Sequence, residues 1–300
     1  MTDLQKISII FPNFNGGKEP MECLRSIQKL DYPKQKIEVI VIDNNSTDGS
    51  KEKILQQFPK VIMIQNKSNL GFATAINQGI RIANGSLIFI TNDDVILEKN
   101  SLRIMSEFIT KNQKAGVLGG KIYFKNKPKK ISSTGFRLNT WTSHISQSPR
   151  PNEIHQPDWV QGCAILIPKM LLTKIKYLDE KYSHSFEDVD LCLRIRELGF
   201  QITYLPHAVF WHGESTSSNK NLSFKYYNWY KCKIRFAIKN LPLINITSIL
   251  IVQTFFIIPY RTVFLRDHRL IPFIKGLGWN LQNISQTMKD RKKLEVVKGK

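Results

Sequence analysis

The stretch SLIFITNDDVILE, residues 86–98, decides how the chain is read. Five of the six residues 86–91 suit a buried strand. The chain then turns abruptly to Asn92-Asp93-Asp94, with no basic residue before Lys99. Two adjacent carboxylates at the end of a buried strand raise the question of what they face. Upstream, the same pattern recurs. ISIIFPNF (7–14) is a β-rich run, Lys18–Leu30 carries apolar residues at helical spacing, and IEVIVID (37–43) is a strand ending in Asp43. Residues 51–58 read as a helix, 61–66 as a strand, and 73–83 as a helix closed by Gly85. Strand alternating with helix predicts a mostly parallel central sheet with helices on both faces.

Such sheets bind ligands beyond the carboxyl ends of their strands. Asn13, Asp43, Asn66 and Asn92-Asp93-Asp94 all fall just after predicted strands, so one edge of the sheet gathers amides and carboxylates. A divalent cation bound by oxygen ligands suits that place, because Mg²⁺ and Mn²⁺ take few protein carboxylates and complete their shells with phosphates. The plainer reading is that Asp93 and Asp94 open a turn or cap a helix. The chain has no G-x-x-x-x-G-K-[ST] loop and no G-x-G-x-x-G after the first strand. A nucleotide would therefore be held by side chains and a metal at the strand ends.

The second half is less regular. Residues 117–124, 134–139, 159–168 and 200–206 read as strands, 169–175 and 186–198 as helices, and 150–158 as loop. In SFEDVDLCLRIRELGF (185–200), Glu187, Asp188 and Asp190 crowd the first helical turn. Ser185-x-x-Asp188 matches a capping box. Adjacent carboxylates also raise one another's pKa, which suits a general base. In HAVFWHGEST (207–216), His212 follows an apolar run. It is either an ordinary surface or core histidine or a metal ligand.

Taken as a set, ISIIFPNFNG, IEVIVIDNNSTDGS, NKSNLGFATAINQGIRIANGSLIFITNDDV, VQGCAILIP and FEDVDLCLRIRELGFQITYLPHAVFWHGES resemble the family 2 glycosyltransferases of the GT-A fold, rhamnosyltransferase-like members above all. The resemblance runs over residues 7–216 and weakens beyond. It implies a GT-A, Rossmann-like α/β catalytic domain over 1–216 and a helical, basic region over 217–300. It implies that Pro12, Asn13, Asp43 and Asn45 contact nucleobase and ribose, with Asp43 accepting from the imide N–H of uracil or thymine. Asn92-Asp93-Asp94 stands where the family carries Asp-x-Asp. With Asn92 at the first position, the metal role passes chiefly to Asp94, while Asn92 and Asp93 support the nucleotide diphosphate. Asp188 takes the place of the catalytic base with Glu187 beside it, and His212 that of the histidine joining the metal or diphosphate. Gln161 and Gly162 fall on the acceptor side. The implied reaction is a single inverting displacement with Mg²⁺ or Mn²⁺, from a UDP- or dTDP-sugar to a saccharide or lipid-linked acceptor in cell-envelope glycan synthesis.

The charge balance is 44 Lys and Arg against 24 Asp and Glu, and residues 220–300 hold 16 of the former and 3 of the latter. That asymmetry fits a polyanion or an anionic membrane. The basic residues flank the uncharged run 241–260 instead of forming a nucleic-acid motif, so a nucleic-acid partner is not expected. The run nominally reaches membrane-spanning length, but its prolines and polar residues favour an interfacial or core segment over a spanning one. Basic, aromatic and apolar residues together suit peripheral binding at the inner face of the cell membrane; the plainer reading is a lysine-rich helical cover packed on the catalytic domain. Four cysteines without C-x-x-C spacing, and no signal-like N-terminal run, fit a reduced cytoplasmic setting. Two rival readings are a nucleotidyltransferase and a membrane-associated scaffold without catalysis. The loop PNFNGGKEP after the first strand has little of the Gly-rich, basic character of a triphosphate site, which disfavours the first.

Overall fold

The computed structural model describes residues 4–182, 185–213 and 222–297. The chain opens with the predicted alternation: β1 (Ile7–Asn13), α1 (Glu19–Gln28), β2 (Ile37–Asp43), α2 (Ser50–Gln57), β3 (Ile62–Gln65), α3 (Phe72–Ile82) and β4 (Leu87–Thr91). Then follow β5 (Val95–Leu97), α4 (Ser101–Lys111), β6 (Ala115–Phe124), β7 (Lys127–Ser133), β8 (Phe136–Leu138), β9 (Ile145–Gln147), β10 (Ala164–Pro168), α5 (Lys169–Lys174), α6 (Glu187–Glu197) and β11 (Gln201–His212). The C-terminal part is helical: α7 (Leu222–Asn240), α8 (Leu243–Val263), α9 (Leu270–Gln282) and α10 (Ile284–Val297).

Nine strands form one sheet in the order β3-β2-β1-β4-β10-β6-β11-β5, with β7 beside β6. Strands β3, β2, β1, β4, β6 and β11 run one way, and β10, β5 and β7 the other. The sheet is thus mostly parallel, with a mixed half built on β10. Period-two alternation splits its buried residues between two cores. Ile10, Ile88 and Ile90 face the side covered by α3, α5 and α6. Ile9, Phe11, Leu87 and Phe89 face α1, α2 and α4.

The C-terminal helices are not a loose appendage. Cys232, Phe236 and Ala237 of α7 belong to the same core as α3 and α6. A buried charge network fastens them. Arg235 Nη2 lies 2.8 Å from both Asp179 and Asp290, and Lys239 reaches Asp179 at 2.7 Å and Asp190 at 2.8 Å. The expected boundary at 216/217 lies outside the described residues, as do Glu214, Ser215 and Thr216 of the matched segment.

Candidate active site

Strand direction explains why distant residues meet. The carboxyl ends of β1, β2, β4, β6 and β11 share one edge of the sheet. Because β10 and β5 run in reverse, their first residues lie at that edge too: Ala164 is level with Thr91, and Val95 with His212. Asn92-Asp93-Asp94 is the link that turns the chain from β4 into β5 across this edge. Gln161-Gly162-Cys163 enters β10 beside it, where the Thr91 hydroxyl donates to the Cys163 carbonyl at 2.8 Å. His212 ends β11 at the same height.

These segments and the start of α6 line a cleft of about 950 Å³. It brings together Pro12, Asn92, Asp93, Asp94, Glu187, Asp188 and His212 of the predicted set, with Gln161 and Gly162. The structure does not bring Asn13, Asp43 or Asn45 to the cleft wall. Asn13 is fully buried and donates from Nδ2 to Asp43, Ser46 and Ser50 at 2.8–3.0 Å. Asp43 is 2% exposed, and its second oxygen accepts from the Ser46 N–H. Asn45 is exposed in the left-handed region, at φ 68°. Asn13 and Asp43 hold the β1 and β2 loops from behind, while Phe14, Asn15 and Asn44 reach the cleft. Sequence reading passed over these three, although Asn15 and Asn44 lie within the quoted motifs. It also passed over the aromatic wall of Phe136, Trp159, Tyr182 and Trp229. Phe136 and Trp159 stack at 4.4 Å, a pairing set by a fold-level contact that spacing along the chain does not reveal.

The acidic residues at the strand edge are short of donors. Both Asp94 oxygens and His212 Nδ1 are buried without a hydrogen-bond partner. His212 Nε2 lies 3.3 Å from Asp94 Oδ1 and 3.2 Å from Asn92 Nδ2. Burial, reinforced by Asp94, pushes Asp93 up to about 7. Burial opposes a charge on His212, but Cys163 and Asp94 beside it push it up to about 11. The protonated His212 is thus the neighbour of the Asp94 carboxylate; a hard or borderline cation at this site would displace that proton and take the neutral imidazole as a ligand. Among the described residues no group of three or more His, Cys, Asp or Glu is arranged to hold a metal by itself. A cation here would draw its remaining ligands from solvent or from a phosphate-bearing ligand. Gly16 keeps the space clear: a Cβ there would stand 2.5 Å from Asp93 Oδ2.

The α6 side is built differently. The capping box does not form. The N-cap is Phe186, at φ 72°, and no side chain caps the helix. A bulky residue in the left-handed region is strained, and it is clamped by Trp229 at 5.1 Å and Phe236 at 5.6 Å, both from α7. The turn aims Asp188 across the chain, where Oδ2 accepts from the Gly162 N–H at 2.9 Å and Oδ1 from the Val189 N–H at 2.8 Å. Burial raises Asp188, and these two bonds hold it back. Burial and then Asp188 raise Glu187 further, and Glu187 Oε2 has no hydrogen-bond partner. The pair therefore carries fewer than two charges near neutrality. Asp190, two residues on, points into the protein. Burial works against its charge, but Arg194 and Lys239 outweigh it and hold it below the usual carboxylate range.

Residues 8–180 match the family model described as Glycosyl transferase family 2. That is more than half of the chain, and the chain belongs to this family. It is 25% identical over 221 residues to "Probable glycosyltransferase YdaM" of Bacillus subtilis, covering 71% of this chain and 52% of that one. It therefore spans about half the length of that relative. It is 22% identical over 281 residues to N-acetylglucosaminyl-diphospho-decaprenol L-rhamnosyltransferase of Mycobacterium tuberculosis, covering 80% of this chain and 90% of that one. Among solved structures, residues 1–349 of S. aureus TarS superpose with a TM-score of 0.64 at 19% identity, over 98% of this chain and 87% of that one. The mannosyltransferase PcManGT from Pyrobaculum calidifontis, in complex with GDP-Man and Mn²⁺, gives 0.58 at 15% identity, over 95% of this chain and 76% of that one. At these identities the solved structures speak for the fold.

Proposed function

We propose that this protein is an inverting glycosyltransferase that moves a sugar from a nucleoside-diphosphate sugar to a hydroxyl of a saccharide or lipid-linked acceptor. The observation that carries the reading is a single cleft faced by two carboxylate groups of opposite build. Asp94 is donor-starved beside His212, and Asp188 is steadied by two backbone N–H groups. Asp188 takes the proton of the acceptor hydroxyl at its carboxylate as the oxygen attacks the anomeric carbon, opposite the departing diphosphate. Glu187, raised by burial and by Asp188, favours its protonated form and so keeps the local charge low beside Asp188. The Gly162 N–H fixes the direction of the Asp188 carboxylate. Asp94 and His212 would hold a Mg²⁺ or Mn²⁺ ion, with Asn92 and Asp93 in support, and the ion would neutralise charge on the diphosphate leaving group.

The donor nucleotide enters along Pro12, Phe14 and Asn44, over a floor that Asn13 and Asp43 hold in shape. A uridine or thymidine diphosphate sugar is the favoured donor, and TarS has been solved with UDP-GlcNAc. The acceptor enters along Gln161, Gly162 and the aromatic wall. The basic, apolar C-terminal helices support a location at the cytoplasmic face of the cell membrane, in cell-envelope glycan synthesis.

The test is a melting series with UDP-, dTDP- and GDP-sugars, each with and without Mn²⁺. A UDP- or dTDP-sugar raises Tm only when Mn²⁺ is present. A shift with nucleoside triphosphates and none with any nucleotide sugar would replace this reading with a nucleotidyltransferase.

A further inference from the structure

Helix α8 is built inside out. Its protein-facing stripe is Asn245, Ile249, Gln253 and Ile258, at spacings of four, four and five. The extra residue falls in the π-helical turn Val252–Ile257, which keeps the stripe on one side. Two of these four inward residues are amides. Asn245 and Gln253 donate to the carbonyls of Thr140 and Thr142 in the β8–β9 turn, at 3.4 and 3.5 Å. The outward side carries Leu243, Ile244, Ile251, Phe255, Phe256 and Val263, with Phe255 68% exposed. A helix on a water-facing surface has the reverse arrangement. Helix α9 buries Phe273, Gly276 and Asn280 on its inner side and exposes Leu270, Ile271, Ile274 and Leu281. In the turn between them Phe264 is 74% exposed. So many exposed apolar side chains on two successive helices and the turn between them mark an interaction site.

Beside this turn lies a cationic cluster. Arg261 and Arg269 share one carboxylate, Asp267, and Arg269 stacks over Tyr226 at 4.1 Å. Lys233 is only 8% exposed. Burial and then the charges of Arg261 and Arg269 push it down to about 8. Among the described residues no carboxylate pairs with Lys233. Two arginines share the one Asp267 carboxylate, and the buried Lys233 lies near enough to feel both of their charges, which leaves a positive excess that an anion would relieve.

We propose that α8, α9 and the turn between them dock on an anionic phospholipid bilayer, with the exposed aromatic and aliphatic side chains entering the acyl boundary and a lipid phosphate completing the Lys233, Arg261 and Arg269 cluster. Charge selects this occupant. A second copy of the chain would bring the same excess of 16 basic over 3 acidic residues in 220–300 and would be repelled. The inference rests on the reading of the chain as an enzyme of the membrane face and names the surface that serves it. Through Asn245 and Gln253 the docked helix holds the β8–β9 hairpin, whose Phe136 and Ile145 line the cleft. Docking thus fixes the orientation of the acceptor wall relative to the bilayer.

Flotation of the full chain with vesicles tests the proposal. Vesicles of phosphatidylcholine containing about 30% phosphatidylglycerol are expected to bind about tenfold more protein than phosphatidylcholine alone, and high salt narrows the gap. A Phe255→Asp/Phe264→Asp variant, altered only at exposed positions, loses binding to both vesicles by about tenfold or more. Lys233→Met keeps residual binding but loses the preference for phosphatidylglycerol. The Mn²⁺-dependent melting shift with donor stays intact in both variants; its absence in the unaltered protein would count against the enzyme reading and leave the surface standing. Equal binding to both vesicles overturns the proposal, as does an undiminished lipid preference in Lys233→Met. A dimer in solution that Phe255→Asp/Phe264→Asp dissolves would assign the surface to a second copy instead.

Discussion

Two acidic pairs face the same cleft, and their surroundings make them opposites. Asp93-Asp94 sits on the short link between β4 and β5, where no backbone N–H of the described residues bonds the buried Asp94 carboxylate and the His212 imidazole lies 3.3 Å from it. Glu187-Asp188 sits at the start of α6, where Asp188 receives two N–H groups and the helix dipole favours negative charge. One pair invites a cation from outside the protein; the other carries its own partial neutralisation and can take up a proton. Asp190 supplies a third case on the same helical turn. Wrapped by Arg194 and Lys239, it serves as a structural anchor. Residue type alone does not separate these roles; the count of nearby donors and cations does.

The sharpest break of this comparison is to neutralise each pair in turn. Asp188→Asn should lower kcat by about 10³–10⁴-fold while leaving the Mn²⁺-dependent donor melting shift in place. Asp94→Asn should abolish that shift. If Asp188→Asn also lost donor binding, the division between the pairs would be wrong. Next in size is the anchor. Arg235→Met leaves Asp179 and Asp290 short of a buried cation, at a cost of about 3–5 kcal/mol, read as a Tm lower by about 10 °C. Gly162→Ala comes third. Its added Cβ would lie 3.0 Å from the Asp188 Cβ, so the carboxylate is displaced and kcat falls by about 10–100-fold with Tm nearly unchanged.

Two pH experiments sharpen the picture further. A base must be ionised to act, so kcat/KM should rise with pH through an acid limb lying above the ordinary aspartate range, because burial raises Asp188. An acid limb near pH 4 would remove Asp188 as the base. The smallest effect concerns Glu187. Its folded pKa lies above its unfolded one, so folding favours the protonated form. Stability therefore falls as pH rises from the unfolded value through the folded one. At pH 9 Glu187→Gln should raise Tm by a few degrees, and at pH 4 it should change little.

The parallel half of the sheet was legible because each strand there is a run of apolar residues closed by a polar one, and helices α1 and α3 show a clear apolar stripe. The edge position of Asn92-Asp93-Asp94 followed from that alone. Strand β5 was missed because three residues, Val95–Leu97, are too few for a periodic signal. Helix α4 went unassigned although Leu102, Met105 and Ile109 form its buried stripe. Strand β11 was cut at Pro206, but the chain absorbs that proline in a register shift between Leu205 and Val209 and continues to His212. The Ser185 capping pattern misled for a tertiary reason: Trp229 and Phe236 hold Phe186 in a conformation no local rule would choose. The burial of Asp43 behind the cleft wall likewise depends on Asn13, thirty residues away.

The position of β11 carries a consequence for the timing of assembly. Strand β5 pairs with β11 on one side and lies at the sheet's rim on the other. While the ribosome is still making the chain, residues 95–97 wait for a partner more than a hundred positions downstream. Until that late strand slots between β6 and β5, His212 and Asp94 are strangers, so the polypeptide stays inert through most of its synthesis. Closure of so distant a pairing is slow, and it comes late in the formation of the cleft.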